Sequence, residues 1–405
     1  MLKKYLLKLI GIIFAIAFVL LTLNVRAETI YSLPDSSYIT LSDIKDLNTN
    51  KNFGDYVSAE ISNTYEVGAN QEKIGKLIVK LFGIFPIREV DVNIVEGKEV
   101  YIGGIPLGFS INTNGVIVVG ENSVNSEGGA KYSSKSIPLK TGDVIKSING
   151  VEVVGPEEII NTLEKNQGEE INLKIDRKGK MLDCSIKPVL DAESNLYKLG
   201  LWVRNDASGV GTLTYVDKTN NRFGALGHPI TDYETGIEVP VQDGKVYNCS
   251  MVGIKKGKKG DPGELRCLFM QGKNSKGNID KNTPYGVYGV INNHEGVIEE
   301  SLVAEVASRI NVRTGKAVIV SGVSGVREEY EIEIIKANYQ PTSNDKSLIF
   351  RVKDKRLLDL TGGIVQGMSG SPIMQDGKLI GAVTHVFVSD PTKGYGVYAD
   401  WMINN

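Results

Sequence analysis

The sequence predicts a mainly β protein in which a small strand-rich domain precedes a larger β-barrel domain. The chain has 405 residues, enough for two or three hydrophobic cores. It contains 45 glycines but only 13 prolines, and a high glycine content without a repeat indicates many turns between short strands. Apolar runs too short for helices recur in the C-terminal half, as at Lys316–Val320 and Leu379–Val383.

The composition excludes several classes of protein. Hydrophobic residues make up 41% and charged residues 23% of the chain, which does not fit a disordered, collagen-like or polytopic membrane protein. The net charge of −2 argues against nucleic acid as a partner. There is no glycine-rich phosphate loop and no His-Glu-x-x-His motif. We therefore expect neither a cofactor nor a metal ion.

Residues 1–27 have the plan of a secretory signal. Three lysines in the first eight residues precede an uncharged apolar run from Leu9 to Leu23, and Arg26-Ala27 follows. The run is shorter than the roughly 20 residues that span a membrane comfortably, whereas the arginine makes a poor cleavage site. A cleaved signal peptide and a retained membrane anchor both stay open, and both place the rest of the chain outside the cytosol.

Residues 28–97 are expected to be a tether or processing region. The first part, from Glu28 to about Asn52, is polar and irregular. A short helix is predicted from Gln71 to Phe82, because apolar residues recur there at helical spacing. These residues are Ile74, Leu77, Ile78 and Leu81.

Residues 98–192 predict a small domain of short strands and one helix. A strand over Val144–Ile148 leads into Asn149-Gly150, which is typical of a two-residue hairpin turn. Pro156 is placed to start a helix. A strand with alternating apolar residues, Ile171–Ile175, closes the unit.

The stretch Gly142–Gly150 is similar to the most recognisable segment of PDZ domains, and Pro106–Phe109 resembles their carboxylate-binding loop. PDZ domains bind an extended chain end by adding it as a strand. The resemblance implies that Leu107, Gly108 and Phe109 bind a peptide or C-terminal ligand, with Gly108 allowing the backbone to approach. The ligand could belong to another protein or to a segment of this same chain.

Residues 196–405 are predicted to form a β-barrel domain that carries a nucleophile, with one helical stripe at Ile298–Ile310. The hexapeptide Gly367–Pro372 resembles the nucleophile loop of chymotrypsin-like serine peptidases. Its glycines allow a tight turn that exposes the Ser369 hydroxyl. The same turn can aim the amides of Gly367 and Ser369 at the oxyanion of a tetrahedral intermediate.

A serine nucleophile needs a base, and the chain has three histidines. His228 follows an apolar strand and lies well before Ser369, as in the His-first order of chymotrypsin-like enzymes. We therefore predict His228 as the base. His385 is expected to pack against the barrel or line the substrate pocket, and His294 to be solvated.

The acid that orients the base is less well defined. Spacing leaves four aspartates open, namely Asp232, Asp243, Asp354 and Asp359. The strand predicted at Leu348–Val352 favours Asp354, because that strand would deliver it near the barrel interior. The alternative is that Asp354, between two lysines, is a surface charge.

The cysteines give no motif. The chain has three, and none forms a C-x-x-C pair. We expect them to act as small buried hydrophobic residues. A Cys249–Cys267 disulfide stays open.

The whole pattern resembles the stage IV sporulation B peptidases of endospore-forming bacteria. The resemblance rests on the apolar N-terminal segment, the PDZ domain, G-A-L-G-H-P-I around His228, and D-K-R-L-L-D-L-T-G-G-I-V-Q-G-M-S-G-S-P-I from Asp354 onward. In that family the residues matching His228, Asp354 and Ser369 act as base, orienting acid and nucleophile.

The resemblance implies a biological setting. The protein would be exported across the forespore membrane into the intermembrane space and stay membrane-tethered until it cleaves itself in the N-terminal region. Its substrate would be a membrane-bound regulatory protein whose cleavage leads to sigma-factor activation. The rival interpretation is a non-catalytic adaptor, in which the PDZ groove is the working site and an inactive barrel is the scaffold.

Overall fold

The structure is a computed structural model. It describes residues 2–22, 30, 33, 35–40, 42–44, 57–62, 66–67, 73–126, 131–132, 138–272, 274–339 and 344–404. Its helices are α1 (Leu2–Thr22), α2 (Pro156–Asn166), α3 (Lys355–Thr361) and α4 (Ala399–Ile403), with a 3-10 turn at Arg309–Asn311. Within the described ranges, no helix is long and apolar enough to cross a membrane.

The strands are β1 (Ser36–Thr40), β2 (Val57–Ile61), β3 (Glu66–Val67), β4 (Lys73–Leu81), β5 (Phe85–Val95), β6 (Glu99–Ile102), β7 (Pro106–Glu121), β8 (Val124–Asn125), β9 (Lys131–Tyr132), β10 (Val144–Ile148), β11 (Val151–Glu152), β12 (Ile171–Arg177), β13 (Lys180–Ile186), β14 (Val189–Asp191), β15 (Leu196–Lys198), β16 (Leu201–Asp217), β17 (Arg222–Ala225), β18 (Val241–Asn248), β19 (Ser250–Lys255), β20 (Glu264–Leu268), β21 (Ser275–Thr283), β22 (Gly286–Ile291), β23 (Val303–Glu305), β24 (Gly315–Ser321), β25 (Glu328–Ala337), β26 (Leu348–Val352), β27 (Pro372–Gln375), β28 (Lys378–Val386) and β29 (Lys393–Tyr398).

Two closed barrels form the centre of the molecule. In the first barrel β7, β18, β21, β22, β17 and β16 are hydrogen-bonded in that order, and β16 pairs back with β7. The second barrel has the order β24, β25, β26, β29, β28, β27 and closes in the same way. The predicted mainly β class with a β-barrel is confirmed, and the strands predicted at Lys316–Val320 and Leu379–Val383 lie in the second barrel.

Alternating side chains fill each barrel, because successive residues of a strand point to opposite faces. In the second barrel Tyr330, Ile332 and Ile334 of β25 are 1% exposed or less, whereas the intervening residues are exposed or only partly buried. Phe223 of β17 has the same role in the first barrel. Each such side chain contributes roughly 1.5–3 kcal/mol on burial, so the barrels form a rigid base for the loops at their ends.

The second half of β7 continues into a small unit with β10, β12, β13 and α2. Asn149 and Gly150 have φ angles of +49° and +78°, which fit the predicted hairpin turn. Pro156 is at the first position of α2, where the Glu158 carboxylate accepts a hydrogen bond from the Gly155 amide at 2.7 Å. Ile159 of α2 packs on the strands. The strands and helix predicted for this segment are therefore present.

The small unit and the first barrel share two long strands. The first part of β7 pairs with β16 and β18 inside the barrel, and its last part pairs with β10 and with the start of β16. Residues 106–113, which the sequence assigned to the PDZ domain, thus lie in the first barrel. Strands β7 and β16 therefore pair across the predicted division between residues 98–192 and residues 196–405.

The helix predicted from Gln71 to Phe82 is wrong, because Lys73–Leu81 is the strand β4. In β4 the side chains of Leu77 and Val79 are fully buried and alternate with the exposed Lys76. The strand pairs with β5 along its length and with β2. The apolar spacing that suggested a helix fits a strand equally well, and its β-branched residues favour the strand.

The region expected to be a tether contains a folded sheet with the order β1, β5, β4, β2. It packs on the second barrel through a shared hydrophobic core. Asp43, which follows β1, is completely buried and forms an ion pair with Lys378 of β28 at 3.2 Å. Residues 36–40, 42–44 and 73–95 are therefore part of the folded body rather than a tether.

The helical stripe predicted at Ile298–Ile310 is also wrong. The segment contains the short strand β23, which pairs with β6, and the 3-10 turn. The alternating exposure of Val303, Ala304 and Glu305 follows from this pairing. Tertiary pairing with β6 therefore overrides the local helical spacing.

Candidate active site

His228 is delivered by a tight turn at the end of β17. Leu226 and Gly227 both have a φ of +69°, which is the left-handed region and costs a residue with a side chain about 1–2 kcal/mol. A Cβ at Gly227 would lie 3.0 Å from Thr384 and 3.1 Å from Val397. The turn at the end of β17 in the first barrel therefore packs closely on β28 and β29 of the second barrel, and His228 lies where the two barrels meet.

Ser369 lies in the loop that enters β27 of the second barrel. Gly367 and Gly370 have φ angles of +96° and +93°. A Cβ at Gly370 would overlap the carbonyl oxygen of Thr212 and lie 2.5 Å from the amide nitrogen of Leu226. Glycine is thus required here by both conformation and space, and the Ser369 loop is in backbone contact with the His228 turn.

Thr212 of β16 binds both of these segments. Its amide donates to the Ser369 carbonyl at 2.8 Å, and its hydroxyl donates to the Gly367 carbonyl at 2.7 Å. Its own carbonyl accepts from the Leu226 amide at 3.2 Å. We call these bonds the Thr212 junction. It fixes the backbones next to Ser369 and His228 relative to each other.

The amides around Ser369 fall into two groups. Those of Met368, Gly370 and Ser371 donate to backbone carbonyls, for example Gly370 to Val383 at 2.7 Å. Within the part of the chain that the structure describes, the amides of Gly367 and Ser369 donate to no protein acceptor. These two amides are the ones that the sequence analysis predicts as hydrogen-bond donors to an oxyanion.

The surroundings of His228 favour its neutral form. Its Nδ1 atom is 2.8 Å from the Pro229 carbonyl oxygen, which accepts hydrogen bonds but cannot donate them. We therefore assign the proton to Nδ1, which leaves the lone pair of Nε2 free to accept one. Burial lowers the pKa of His228 below its ordinary value of 6.5, whereas the Pro229 carbonyl and the nearby Asp345 carboxylate oppose this shift.

His385 lies beside His228, with 5.2 Å between the ring centroids. Its Nδ1 atom is buried and has no hydrogen-bond partner among the described residues, and Oδ2 of Asp345 faces it at 3.6 Å. Burial lowers the pKa of His385, the neighbouring His228 lowers it further, and Asp345 opposes both. No local pattern predicts this position of Asp345, because Asp345 approaches His385 only when the second barrel closes.

Asp354, the orienting acid that the resemblance implies, does not contact His228. It caps α3, where its carboxylate accepts from the Arg356 amide at 2.8 Å and pairs with the Arg356 guanidinium. It also accepts from the Glu331 amide at 3.3 Å. The Arg356 hydrogen bond is the main cause of its lowered pKa.

The strand β26 explains the separation. The first residue of β26, Leu348, pairs with Gly396 of β29, and Gly396 in turn pairs with Val383 of β28. The N-terminal end of β26 is therefore the end that lies near His228. Asp354 follows the other end of β26, about 13 Å further along the strand at 3.3 Å per residue. The strand predicted at Leu348–Val352 is present, but Asp354 follows the end of it that lies away from His228.

The other candidate aspartates also have other partners. Asp232 is buried and pairs with Arg204 at 3.1 Å, and it caps the turn at Thr235. Asp243 accepts from Asn112, and Asp359 is exposed on α3. His294 hydrogen-bonds Asn221 at 3.1 Å. None of these contacts involves Ser369 or His228.

The structure contradicts the predicted carboxylate-binding loop. Leu107 and Phe109 are fully buried in the core of the first barrel. Strands β16 and β18 of this same chain occupy both edges of this stretch. A Cβ at Gly108 would overlap the ring of Phe269. These residues therefore have neither the free edge nor the space that a peptide ligand needs.

A comparison with protein families matches residues 195–403 to the family described as SpoIVB peptidase S55. The chain belongs to this family. Among solved structures, the PDZ domain of an SdrC-like protein from Listeria monocytogenes is similar at 19% identity, over 22% of this chain and 87% of that chain, with a TM-score of 0.18.

The family assignment identifies the protein as a peptidase and confirms the resemblance drawn from the sequence. The matched residues include both segments of the Thr212 junction. Across the described residues, no group of three or more His, Cys, Asp or Glu side chains is arranged to hold a metal ion. In this member of the SpoIVB peptidase S55 family, the described groups near the junction include a hydroxyl, two imidazoles, a carboxylate and two amides.

Proposed function

We propose that this protein is a serine endopeptidase in which Ser369 is the nucleophile and His228 the general base. The observation that carries the proposal is the Thr212 junction, which ties the backbone of Ser369 to the turn that presents His228. The neutral state of His228 supports the same assignment, because a base must be unprotonated to accept the serine proton.

The reaction follows from these roles. Oγ of Ser369 attacks the carbonyl carbon of the peptide while Nε2 of His228 takes its proton. The same nitrogen returns the proton to the leaving amine as the C–N bond breaks, which leaves an acyl-enzyme. His228 then takes a proton from water, whose oxygen attacks the ester carbon. The bond between that carbon and Oγ of Ser369 breaks, His228 returns the proton to Oγ, and the acid product leaves.

The unpaired amides of Gly367 and Ser369 supply the oxyanion hole in this proposal. Because no protein group accepts from them in the described structure, both N–H groups are available to the negative oxygen of the intermediate. Removal of one such donor costs roughly 100- to 1,000-fold in rate in other enzymes. The positive φ of Gly367 fixes the direction of this part of the loop.

The biological role is proposed from the family resemblance. The protein would be exported into the space around the forespore, tethered by its N-terminal segment, and matured by self-cleavage. It would then cut a membrane-bound regulatory protein and so activate a sigma factor. The apolar side chains of α1 support a membrane or export role for this segment, since Leu7, Ile13 and Phe14 are 56% to 72% exposed.

The adaptor alternative loses support from the structure. An adaptor would use the groove at Leu107, Gly108 and Phe109, and these residues are buried between strands of this same chain. An interaction through another face of the small unit would not require an activated serine. A reagent specific for activated serines therefore separates the two proposals.

The test compares full-length wild type with Ser369→Ala and with a matched control, Ser371→Ala. The Ser371 hydroxyl is buried and has no hydrogen-bond partner among the described residues, so its removal breaks no bond. We expect a fluorophosphonate to label Ser369 in wild type and in Ser371→Ala. N-terminal sequencing should show self-cleavage in these two proteins and none in Ser369→Ala. Equal self-processing by Ser369→Ala would refute the proposed nucleophile.

A further inference from the structure

The hairpin between β4 and β5 ends in an exposed apolar turn. Residues Leu81–Ile87 contain neither a charged nor a polar side chain. Four large side chains here lie in solvent, with Phe82 46%, Ile84 70%, Phe85 60% and Ile87 39% exposed. Single exposed apolar residues are common on proteins, whereas a contiguous group of them marks a contact surface. We call these four residues the apolar tip.

The hairpin pairs much of the backbone at the apolar tip. Leu81 pairs with Phe85, and the Ile84 amide donates to the Leu81 carbonyl at 3.1 Å. Phe82 and Gly83 have φ angles of +56° and +69°, which are typical of a tight turn that follows the twist of its two strands. A segment with paired backbone groups can enter an apolar medium at a lower cost than one with bare N–H and C=O groups.

The apolar tip exposes apolar groups on both faces of the hairpin. Phe85 and Pro86 are neighbours in β5, so their side chains point to opposite faces, and both residues are exposed. The first charged residues beyond the apolar stretch are Lys80 and Arg88, and both are cations. Lys80 lies about 7 Å behind Phe82, at 3.4 Å per residue, and interfacial segments enter a bilayer by roughly 5–10 Å. The order therefore matches acyl chains followed by phosphate groups.

The apolar tip lies in the part of the chain that follows α1. Fourteen residue steps separate Thr22, where α1 ends, from Ser36, where β1 begins. The two ends are therefore at most about 50 Å apart. Because α1 exposes apolar side chains, a membrane contact of α1 would keep the N-terminal sheet within reach of the same surface.

We propose that the apolar tip of the β4–β5 hairpin is a second membrane contact, which inserts into the surface of a phospholipid bilayer. A bilayer is favoured over a protein groove because the apolar groups lie on both faces of the hairpin. The N-terminal sheet packs on the second barrel through a shared core, so insertion of the tip would hold the barrel that carries Ser369 at the membrane. The proposal does not depend on the chemistry of Ser369.

Transfer of apolar groups, rather than charge, should dominate this contact. Lys80 forms an ion pair with Glu60, and Arg88 pairs with Asp35 at 2.8 Å. Because each cation already has a carboxylate partner, we expect anionic lipid to strengthen binding by less than about threefold. Each large apolar side chain that enters the acyl region should strengthen it by at least about tenfold.

The first experiment measures where the apolar tip lies when the full-length protein is mixed with phosphatidylcholine vesicles. Phe85→Trp adds an indole at the tip, and Val326→Trp, at a site 65% exposed between β24 and β25, is the control. Lipids brominated on their acyl chains quench an indole that enters the bilayer. After subtraction of the wild-type signal of Trp202 and Trp401, we expect the Phe85→Trp emission to be quenched and the Val326→Trp emission to be unchanged.

The second experiment measures partitioning by sedimentation with the same vesicles. The double variant Ile84→Ser/Phe85→Ser changes the tip, whereas the matched control Trp202→Ser/Val326→Ser changes one aromatic and one aliphatic side chain at other sites, 60% and 65% exposed. The helix α1 is the same in both proteins. We expect the tip variant to partition about 100-fold less than wild type and the control to stay within twofold. Thermal melting verifies that both proteins remain folded.

The outcomes decide the occupant of the apolar tip. Quenching in Phe85→Trp together with a selective loss of partitioning in the tip variant supports the bilayer. Absence of quenching, or equal partitioning of the two double variants, overturns it. An emission shift of Phe85→Trp that grows with protein concentration in the absence of vesicles also overturns it, and assigns the tip to a second copy of this chain. Fluorophosphonate labelling of Ser369 tests the peptidase separately, so the two proposals can fail independently.

Discussion

Replacing Gly370 with alanine tests the contact between the two barrels at the nucleophile. The φ of Gly370 is +93°, and an added Cβ would overlap the Thr212 carbonyl oxygen and lie 2.5 Å from the Leu226 nitrogen. Both neighbours are backbone atoms, so neither can rotate away as a side chain would. We expect Gly370→Ala to displace the nucleophile loop from the His228 turn.

The size of the effect can be estimated from the same distances. Ordinary contact of a Cβ begins near 3.4 Å, so the loop must retreat from Leu226 by about 0.9 Å. A misplacement of about 1 Å at a catalytic group costs about 100-fold in rate. The backbone conformation adds about 1–2 kcal/mol of strain. We therefore predict a fall of about 100-fold in Ser369 labelling together with a lower melting temperature.

Gly377→Ala is the matched control. Gly377 has a φ of +77° in the turn between β27 and β28, and an added Cβ would meet no atom within 4 Å. This variant therefore carries the strain without the overlap. It should melt at a lower temperature than wild type but label Ser369 at the wild-type rate. Equal labelling rates in the two alanine variants would refute the inference that the junction positions the nucleophile.

Three further predictions concern pH, stability and thiol chemistry. Since burial lowers the pKa of His228, labelling of Ser369 should rise with pH through a midpoint below 6.5, and a midpoint above 7 would contradict the burial argument. Asp43→Ala should destabilise the protein by about 3–5 kcal/mol in urea unfolding, because it removes a fully buried carboxylate that pairs with Lys378 and accepts hydrogen bonds from the Thr40 and Ser308 amides; a loss below 1 kcal/mol would refute the claim that the N-terminal sheet is integral. The Cys249 thiol lowers the pKa of Cys267 by a hydrogen bond, whereas the pKa of Cys249 is raised. Iodoacetamide near pH 8 should therefore modify Cys267 first, as read by peptide mass spectrometry, and preferential modification of Cys249 would disagree.

The parts of the fold that local chemistry determines could be predicted from the sequence. Asn149-Gly150 specifies a tight hairpin and Pro156 a helix start, and both are present because their conformations depend on the residues themselves. Lys73–Leu81 was assigned wrongly because its apolar spacing fits two structures. Pairing with β5 then decided between them.

The residues of the candidate site also fall into those that local sequence could identify and those that depend on tertiary pairing. Ser369 and His228 lie in short segments whose glycines and prolines define the turn, so each could be identified locally. A carboxylate near His228 could not be located in this way, because its position depends on which end of β26 faces that histidine. Asp354 follows a correctly predicted strand but leaves the junction, whereas Asp345 precedes that strand and reaches His385.

The shared strands explain why a modular interpretation of the sequence failed at Leu107–Phe109. A PDZ-like segment read by itself has a free strand edge after its glycine loop, and a peptide can add there. In this chain β7 runs from the first barrel into the small unit, and β16 runs beside it over almost its whole length. The edge that would receive a peptide is therefore used to build the barrel that presents His228. Relative motion of the two units would have to bend a pair of hydrogen-bonded strands rather than a linker, so their orientation is fixed by the same strand pairs that form the first barrel.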